Sequence, residues 1–316
     1  MKQEPAGQTV PEILQEPAER EEDPVLARIL DEYRKADAVS VENAEKYRRI
    51  LAALSVTATL LAVAFLLYDE VYLYWLIVPC ILLLLALFAV NRFADRLQCH
   101  KNYLEYRLYA EGLRVQSFLR SAGIRKNAAD LLPWAWRMNV PWTVQKLQEI
   151  PGEPEPSGRQ PVLDLWIRDQ KDYHREALAR TELRRKRNDR IVRTVIVFTV
   201  LTYAAALVFE SLYGGLFTGT VRGDTHTREI VHIVLKVMMG SFSCMTLFAG
   251  SYYGKLSLEE TAGDHRRMIA LYEQAESQIL EQGETEEILL ELAKEELGEN
   301  SSWYAYQSKN RPDISF

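Results

Sequence analysis

Two segments in the second half of the chain are too long and too apolar to belong to an ordinary soluble core. Ile191–Phe209 reads IVRTVIVFTVLTYAAALVF, and Ile230–Tyr253 reads IVHIVLKVMMGSFSCMTLFAGSYY. At about 1.5 Å per residue, helices of these lengths each cross the roughly 30 Å hydrocarbon layer of a bilayer. Immediately before the first lies Glu182–Arg190, ELRRKRNDR, with five Lys or Arg in nine positions. Positive charge beside a short-looped span stays on the cytoplasmic side. The pair is therefore expected to enter the membrane from the cytoplasm and return to it.

The first half repeats this order. A helical stripe of Leu26, Ile29, Tyr33, Ala36, Ala44, Tyr47 and Leu51 leads into a span at Leu51–Leu67. An acidic turn, Asp69–Glu70, precedes a second span, Val71–Val90. Lys46, Arg48 and Arg49 flank one side of this hairpin, Arg92 and Arg96 the other, and the turn carries no cation. Both of its ends are thus expected in the cytoplasm. From Arg92 the pattern predicts a helix continuing to about Leu119, its stripe marked by Phe93, Leu97, Leu104, Leu108, Val115 and Phe118. Such a stripe needs a partner surface, for which the helix before the first span, running antiparallel, is the candidate.

The fold class expected is all-α: four transmembrane helices in two hairpins, with long cytoplasmic helical extensions. Residues 1–24, polar and holding four prolines, read as a disordered tail without a cleavable signal peptide. The first helical hairpin unit covers 25–122, closed by Gly123. A connection follows over 123–161. It holds one short helix with Trp134, Trp136 and Trp142, then the linker Pro151–Pro161. The second unit covers 162–282, and an acidic helix, Glu284–Leu297, precedes an aromatic tail within 283–316. The two halves share this order, which reads as a duplication of pattern.

Composition removes several classes of function. A net charge of −6 argues against a nucleic-acid partner. Cys80, Cys99 and Cys244 fit neither a disulfide framework nor a metal site. There is no HExxH, nucleophile elbow or CxxC, so neither an enzyme nor a cofactor is expected. Gly250-Ser-Tyr-Tyr-Gly254-Lys255 has three residues between its glycines where a phosphate loop has four, and it follows a membrane helix. Gly240 with Cys244, and Gly250 with Gly254, instead form small-xxx-small pairs suited to close helix packing. His100, His174 and His265 stand isolated in sequence and read as structural. The tryptophan cluster fits a membrane interface or a packed core equally well.

Ionisable groups inside a membrane mark function by default. Arg193, His232 and Lys236 are those of the second hairpin. Either they snorkel to an interface or they line a water path. His232, Lys236, Gly240 and Ser243 follow one helix face, a polar continuation that a snorkelling lysine does not need, and they are the pore-lining candidates. Arg184, Arg185, Lys186, Arg187 and Arg190 form a cytoplasmic basic patch. It serves as a topological signal, or it contacts anionic lipid or a nucleotide.

The hairpin followed by HKNYLEYRLYAEGLRVQSFL (His100–Leu119), and WIRDQKDYHREALAR (Trp166–Arg180) with its hairpin and DHRRMIALYEQAE (Asp264–Glu276), resemble the SLATT proteins. These are two-transmembrane effectors that associate with SMODS and SLOG domains in bacteria. The resemblance covers about residues 25–282 as two units in tandem. It implies a membrane effector of a conflict system, opening pores when a partner senses a nucleotide. No nucleotide-sensing domain is fused here, so a nucleotide messenger would bind the cytoplasmic helices, or a separate sensor protein would act. The resulting expectation is a homo-oligomeric, pore-forming effector or channel of the inner membrane with both termini cytoplasmic. The competing reading is a membrane-anchored scaffold whose helices dock partners.

Overall fold

The computed structural model describes residues 23–150, 162–214, 220, 223–255 and 258–309. The tail before Asp23, the linker Pro151–Pro161, Gly219 and the last residues from Asn310 lie outside them. Among the described residues there are helices and turns but no strand. In chain order the helices are α1 (Pro24–Glu70), α2 (Ile77–Leu97), α3 (Cys99–Ser121), α4 (Ala128–Leu131), α5 (Trp134–Asn139) and α6 (Pro141–Gln148). After the linker come α7 (Asp169–Leu212), α8 (Thr225–Lys255), α9 (Leu258–Gln282) and α10 (Glu286–Lys309). A 3₁₀ turn, Tyr74–Leu76, precedes α2, and a π turn, Leu163–Arg168, precedes α7.

Four helical stretches are long and apolar enough to cross a membrane: Pro24–Glu70, Tyr74–Ser121, Leu163–Leu212 and Thr225–Gln282. At most 17% of the residues in their most apolar windows are buried within the chain. The chain is thus all-helical, with the composition of a multi-pass membrane protein. It divides into two compact units whose boundaries cut the helices themselves. One unit gathers residues up to Tyr47, Gln98–Glu182 and Glu259–Ser315. The other gathers Arg48–Leu97 and Leu183–Leu258.

The first unit is built around α3, which is buried on every side from Leu108 to Ala122. A single apolar stripe had suggested one partner, but α3 has several. Along α1 the contacts run antiparallel: Ser40 Oγ donates to the Tyr103 carbonyl, Arg107 meets Asp37 at 3.4 Å, and Arg120 meets Asp23. Along α10 they are antiparallel too. His100 Nε2 lies 3.1 Å from the Gln307 carbonyl, and Tyr103 meets Trp303 edge-on with centroids 5.8 Å apart. Phe118 stacks on Trp166 at 5.0 Å. The end of α3 is a Schellman turn: Gly123, at φ 72°, donates to the Arg120 carbonyl and Ile124 to that of Leu119. Both Ile124 and Leu119 are buried, which supplies the hydrophobic contact of that motif.

Three elements differ from the sequence pattern. The second span begins as an α-helix at Ile77 rather than Val71, after a turn in which Tyr72 takes φ 57°. The helix expected to run unbroken from Arg92 to Leu119 is interrupted at Gln98, whose φ is 48°. Nothing in composition marks that break, since glutamine is a good helix former. The third is α10, which does not stop at Leu297 but continues through the aromatic residues to Lys309. Trp303 against Tyr103 holds its last turns, a tertiary contact that overrides local propensity. The connection after Gly123 also holds three short helices where one was expected. Asn127 fixes it: its side chain accepts from Ala129 N–H and donates to the carbonyls of Leu147 and Ile150.

The second unit is inverted in its surface chemistry. Large apolar side chains stand exposed on all four of its helices, among them Leu60, Phe65, Leu82, Phe88, Val200, Leu201 and Leu247, the last at 72%. Contiguous apolar surface on this scale marks contact with lipid or protein. Its hydroxyls are satisfied locally, as a hydrocarbon setting requires. Thr59, Thr199, Thr202 and Thr246 each donate to the carbonyl four residues back.

Candidate functional site

The polar face predicted on α8 is engaged by the unit's own helices. His232 Nδ1 contacts the Glu210 carboxylate of α7. One turn on, Lys236 Nζ donates to Glu70 Oε2 of α1 at 3.1 Å. A β-carbon on Gly240 would lie 2.7 Å from Leu66 Cδ1, so the glycine is what allows α1 and α8 this approach. Ser243 Oγ lies 3.1 Å from the Tyr203 hydroxyl, and Thr199 and Thr246 are joined hydroxyl to hydroxyl at 2.9 Å. The four pore-lining candidates therefore share one inward face of α8, directed at α1 and α7.

An ion pair, Lys236–Glu70, and a histidine–carboxylate contact, His232–Glu210, lie close together on that face. Lys236 and Glu70 keep side-chain exposures of 47% and 26%, and His232 and Glu210 keep 44% and 34%. They tie α8 to α1 and to α7 at the ends of those helices, where α1 stops at Glu70 and α7 stops at Leu212. The acidic partners are what sequence reading missed. Glu70 reads in sequence as part of an acidic turn, and Glu210 falls just past the apolar run ending at Phe209.

The other packing candidates behave differently. Cys244 is partly buried. Gly250 and Gly254 have nothing within 4 Å of where a β-carbon would lie, so among the described residues no helix packs on them. In the basic patch, Lys186, Arg187 and Arg190 are exposed, whereas Arg185 approaches Asp189 at 3.9 Å and Arg184 is half-buried.

The first unit holds a buried ionic network that no sequence motif announces. Arg107, Glu111 and Arg114 follow one face of α3, and all have little exposure. Glu111 contacts both arginines, at 2.8 Å from Arg114 Nη2. Arg114 also donates to Gln170 at 2.9 Å and lies 3.5 Å from Glu296 Oε2. The other Glu296 oxygen accepts from Trp166 Nε1 at 2.7 Å and from the Tyr272 hydroxyl. Burial raises the Glu296 carboxyl above its ordinary range, with Arg114, Tyr272 and Trp166 opposing that rise. Burial and the neighbouring Glu296 raise the Tyr272 phenol, which stays a donor. Spacing i, i+4, i+7 put these charges on one face, but only tertiary structure shows that the face is dry.

Two of the three histidines read as isolated are brought together. His174 Nδ1 lies 3.0 Å from His265 Nδ1, so one ring donates and the other accepts. Burial lowers both imidazoles, that of His265 to about 4. Folding thus excludes protons that the unfolded chain binds, and stability is lost as pH falls from about 6.5 toward 4. For His265 the loss reaches up to about 3 kcal/mol. Asp264, pushed up to about 7 by burial and by Glu299, works in the opposite sense over that window. The diagnostic quantity is therefore the difference between wild type and His265→Gln in detergent melts. Wild type is expected to lose melting temperature relative to the variant between pH 7 and 5, and parallel profiles would refute the pair's role. Among the described residues, no three His, Cys, Asp or Glu side chains converge to hold a metal ion.

No protein-family model matches this chain, and no curated protein or solved structure matches it either.

Proposed function

We propose that this chain is the subunit of an oligomeric, pore-forming effector of the bacterial inner membrane, triggered from the cytoplasm. The observation that carries the reading is the polar pairing of α8, the Lys236–Glu70 ion pair and the His232–Glu210 contact. Acids and bases are kept within apolar helices only at a cost, and they concentrate on ion and substrate paths. Four spans per chain are too few to enclose a water path, so the conducting form is a homo-oligomer. In this reading the spans are two hairpins, the first unit is cytoplasmic, and both termini lie on that side. The basic flanks Lys46–Arg49, Arg92–Arg96 and Arg184–Arg190 support this orientation. The resemblance of His100–Leu119 and Asp264–Glu276 to SLATT proteins supports a role in antiviral defence, with a nucleotide messenger or a separate sensor as trigger.

The test is ion flux through purified protein in liposomes. Stepwise conductance that changes sign of selectivity in Lys236→Glu is the expected result. A correctly inserted oligomer that conducts under no condition would favour a scaffold whose helical unit docks partners. Orientation is checked separately in intact cells: Asp69→Cys is expected to react with an impermeant maleimide, and Lys294→Cys to be protected. The opposite labelling would overturn the topology.

A further inference from the structure

Along the stretch that leads into α7 and through it, the cations change in their pairing. Arg168 of the π turn and Lys171 and Arg175 of α7 are each bound to an acid of α9. Further along the same helix, Lys186, Arg187, Arg190 and Arg193 are exposed and have no acidic partner among the described residues. On α2 the same is true of Arg92 and Arg96. Topological bias alone requires positive charge, but it does not require that the charge be unpaired or on a given face.

The face is specific. On α7, Lys186, Arg190 and Arg193 stand at i, i+4 and i+7, and the same line continues through Val197 and Val200, exposed at 49% and 61%. The opposite face carries Asn188 and Thr202, both buried. On α2, Ile81, Leu85 and Phe88 form an exposed apolar line that ends in Arg92 and Arg96, while Cys80 and Leu87 turn inward. Each helix therefore presents an apolar stripe capped by open guanidinium or ammonium groups. From Arg193 back to Lys186 the helix rises about 10 Å, comparable to the headgroup layer on one side of a bilayer. Guanidinium groups bind phosphate in bidentate fashion.

We propose that these two capped stripes form a binding surface for anionic phospholipid headgroups. Acyl chains lie along Val197–Val200 and Ile81–Phe88, and the phosphates are held by Arg190, Arg193, Lys186 and Arg187 on α7 and by Arg92 and Arg96 on α2. The surface rests on the bilayer placement above but not on conduction, so a non-conducting protein can still satisfy it.

The experiment uses the full-length chain in detergent, titrated with phosphatidylglycerol or phosphatidylcholine, and reads thermal stabilisation and lipids retained in native mass spectrometry. Phosphatidylglycerol is expected to bind at least about tenfold more tightly than phosphatidylcholine, with the gap narrowing at high salt. The variant with Lys186→Gln, Arg187→Gln, Arg190→Gln and Arg193→Gln is expected to lose most of that preference. Arg92→Gln with Arg96→Gln serves as the second, independent variant on α2 and is expected to lose part of it. Equal binding of the two lipids by wild type, full preference in a folded variant, or the same stabilisation by inorganic phosphate would each overturn the proposal. Flotation with phosphatidylcholine liposomes separates its failure from failure of the membrane reading: a chain that does not insert at all defeats the latter.

Discussion

Glu296→Leu is expected to destabilise the first unit by about 3–5 kcal/mol, the cost of breaking a buried charge network by removing one partner. Glu296 has no solvent exposure, and its carboxylate is the common acceptor of Trp166 and Tyr272 beside Arg114. With leucine there, two donors on two different elements lose their acceptor, and Arg114 keeps only Glu111 as its carboxylate partner in the network. In a detergent melt the loss should appear as a fall of roughly 10 °C. Adding Arg114→Met should restore at least about half of the stability, because deleting both partners with apolar groups is far less costly than deleting one. Arg107 then remains paired with Glu111 and Asp37. A Glu296→Leu protein that melts with wild type would show that α10 is held without the network, by its buried leucines and its contacts with His100 and Tyr103.

That network also shows where sequence reading stops. Hydrophobic length picked out the four helices long and apolar enough to cross a membrane, because a bilayer imposes a fixed thickness and every apolar residue in the run reports on it. Glycine chemistry located the end of α3 at Gly123, where positive φ is needed. The break at Gln98 and the continuation of α10 through Trp303 were not legible, since both depend on contacts between residues far apart in sequence. The polar face of α8 could be read from the spacing of His232, Lys236 and Ser243. Its partners could not, because Glu70 and Glu210 lie at the edges of apolar runs, where an acid ordinarily signals only that the run is over. The proximity of His174 and His265, separated by 91 positions, is likewise a product of helix pairing.

Glu70→Gln is expected to raise ion flux, and the size of the effect follows from what the substitution leaves behind. In the structure Lys236 donates to Glu70 at 3.1 Å, which neutralises an ammonium group set in an apolar helix. Without that carboxylate, the charge is uncompensated as long as α8 stays packed against α1. An unpaired lysine costs about 2.5–3.5 kcal/mol at the centre of a spanning helix and less toward its ends, where this pair lies. A conducting state that exposes Lys236 to water avoids that cost. With the packing seen here taken as the closed form of the proposed pore, a penalty of about 1 kcal/mol on it alone moves the closed-to-open ratio about fivefold. Glu210→Gln removes the carboxylate that His232 contacts and is expected to act in the same direction but less strongly, because an amide can still hydrogen-bond the imidazole. The decisive comparison is the double variant Glu70→Leu with Lys236→Met, which removes both charges and leaves Gly240 free to pack on Leu66. It should return flux to the wild-type level or below. If Glu70→Gln and the double variant conduct alike, the ion pair holds nothing shut. If neither conducts in an inserted oligomer, the charges on α8 serve only to fasten three helices together.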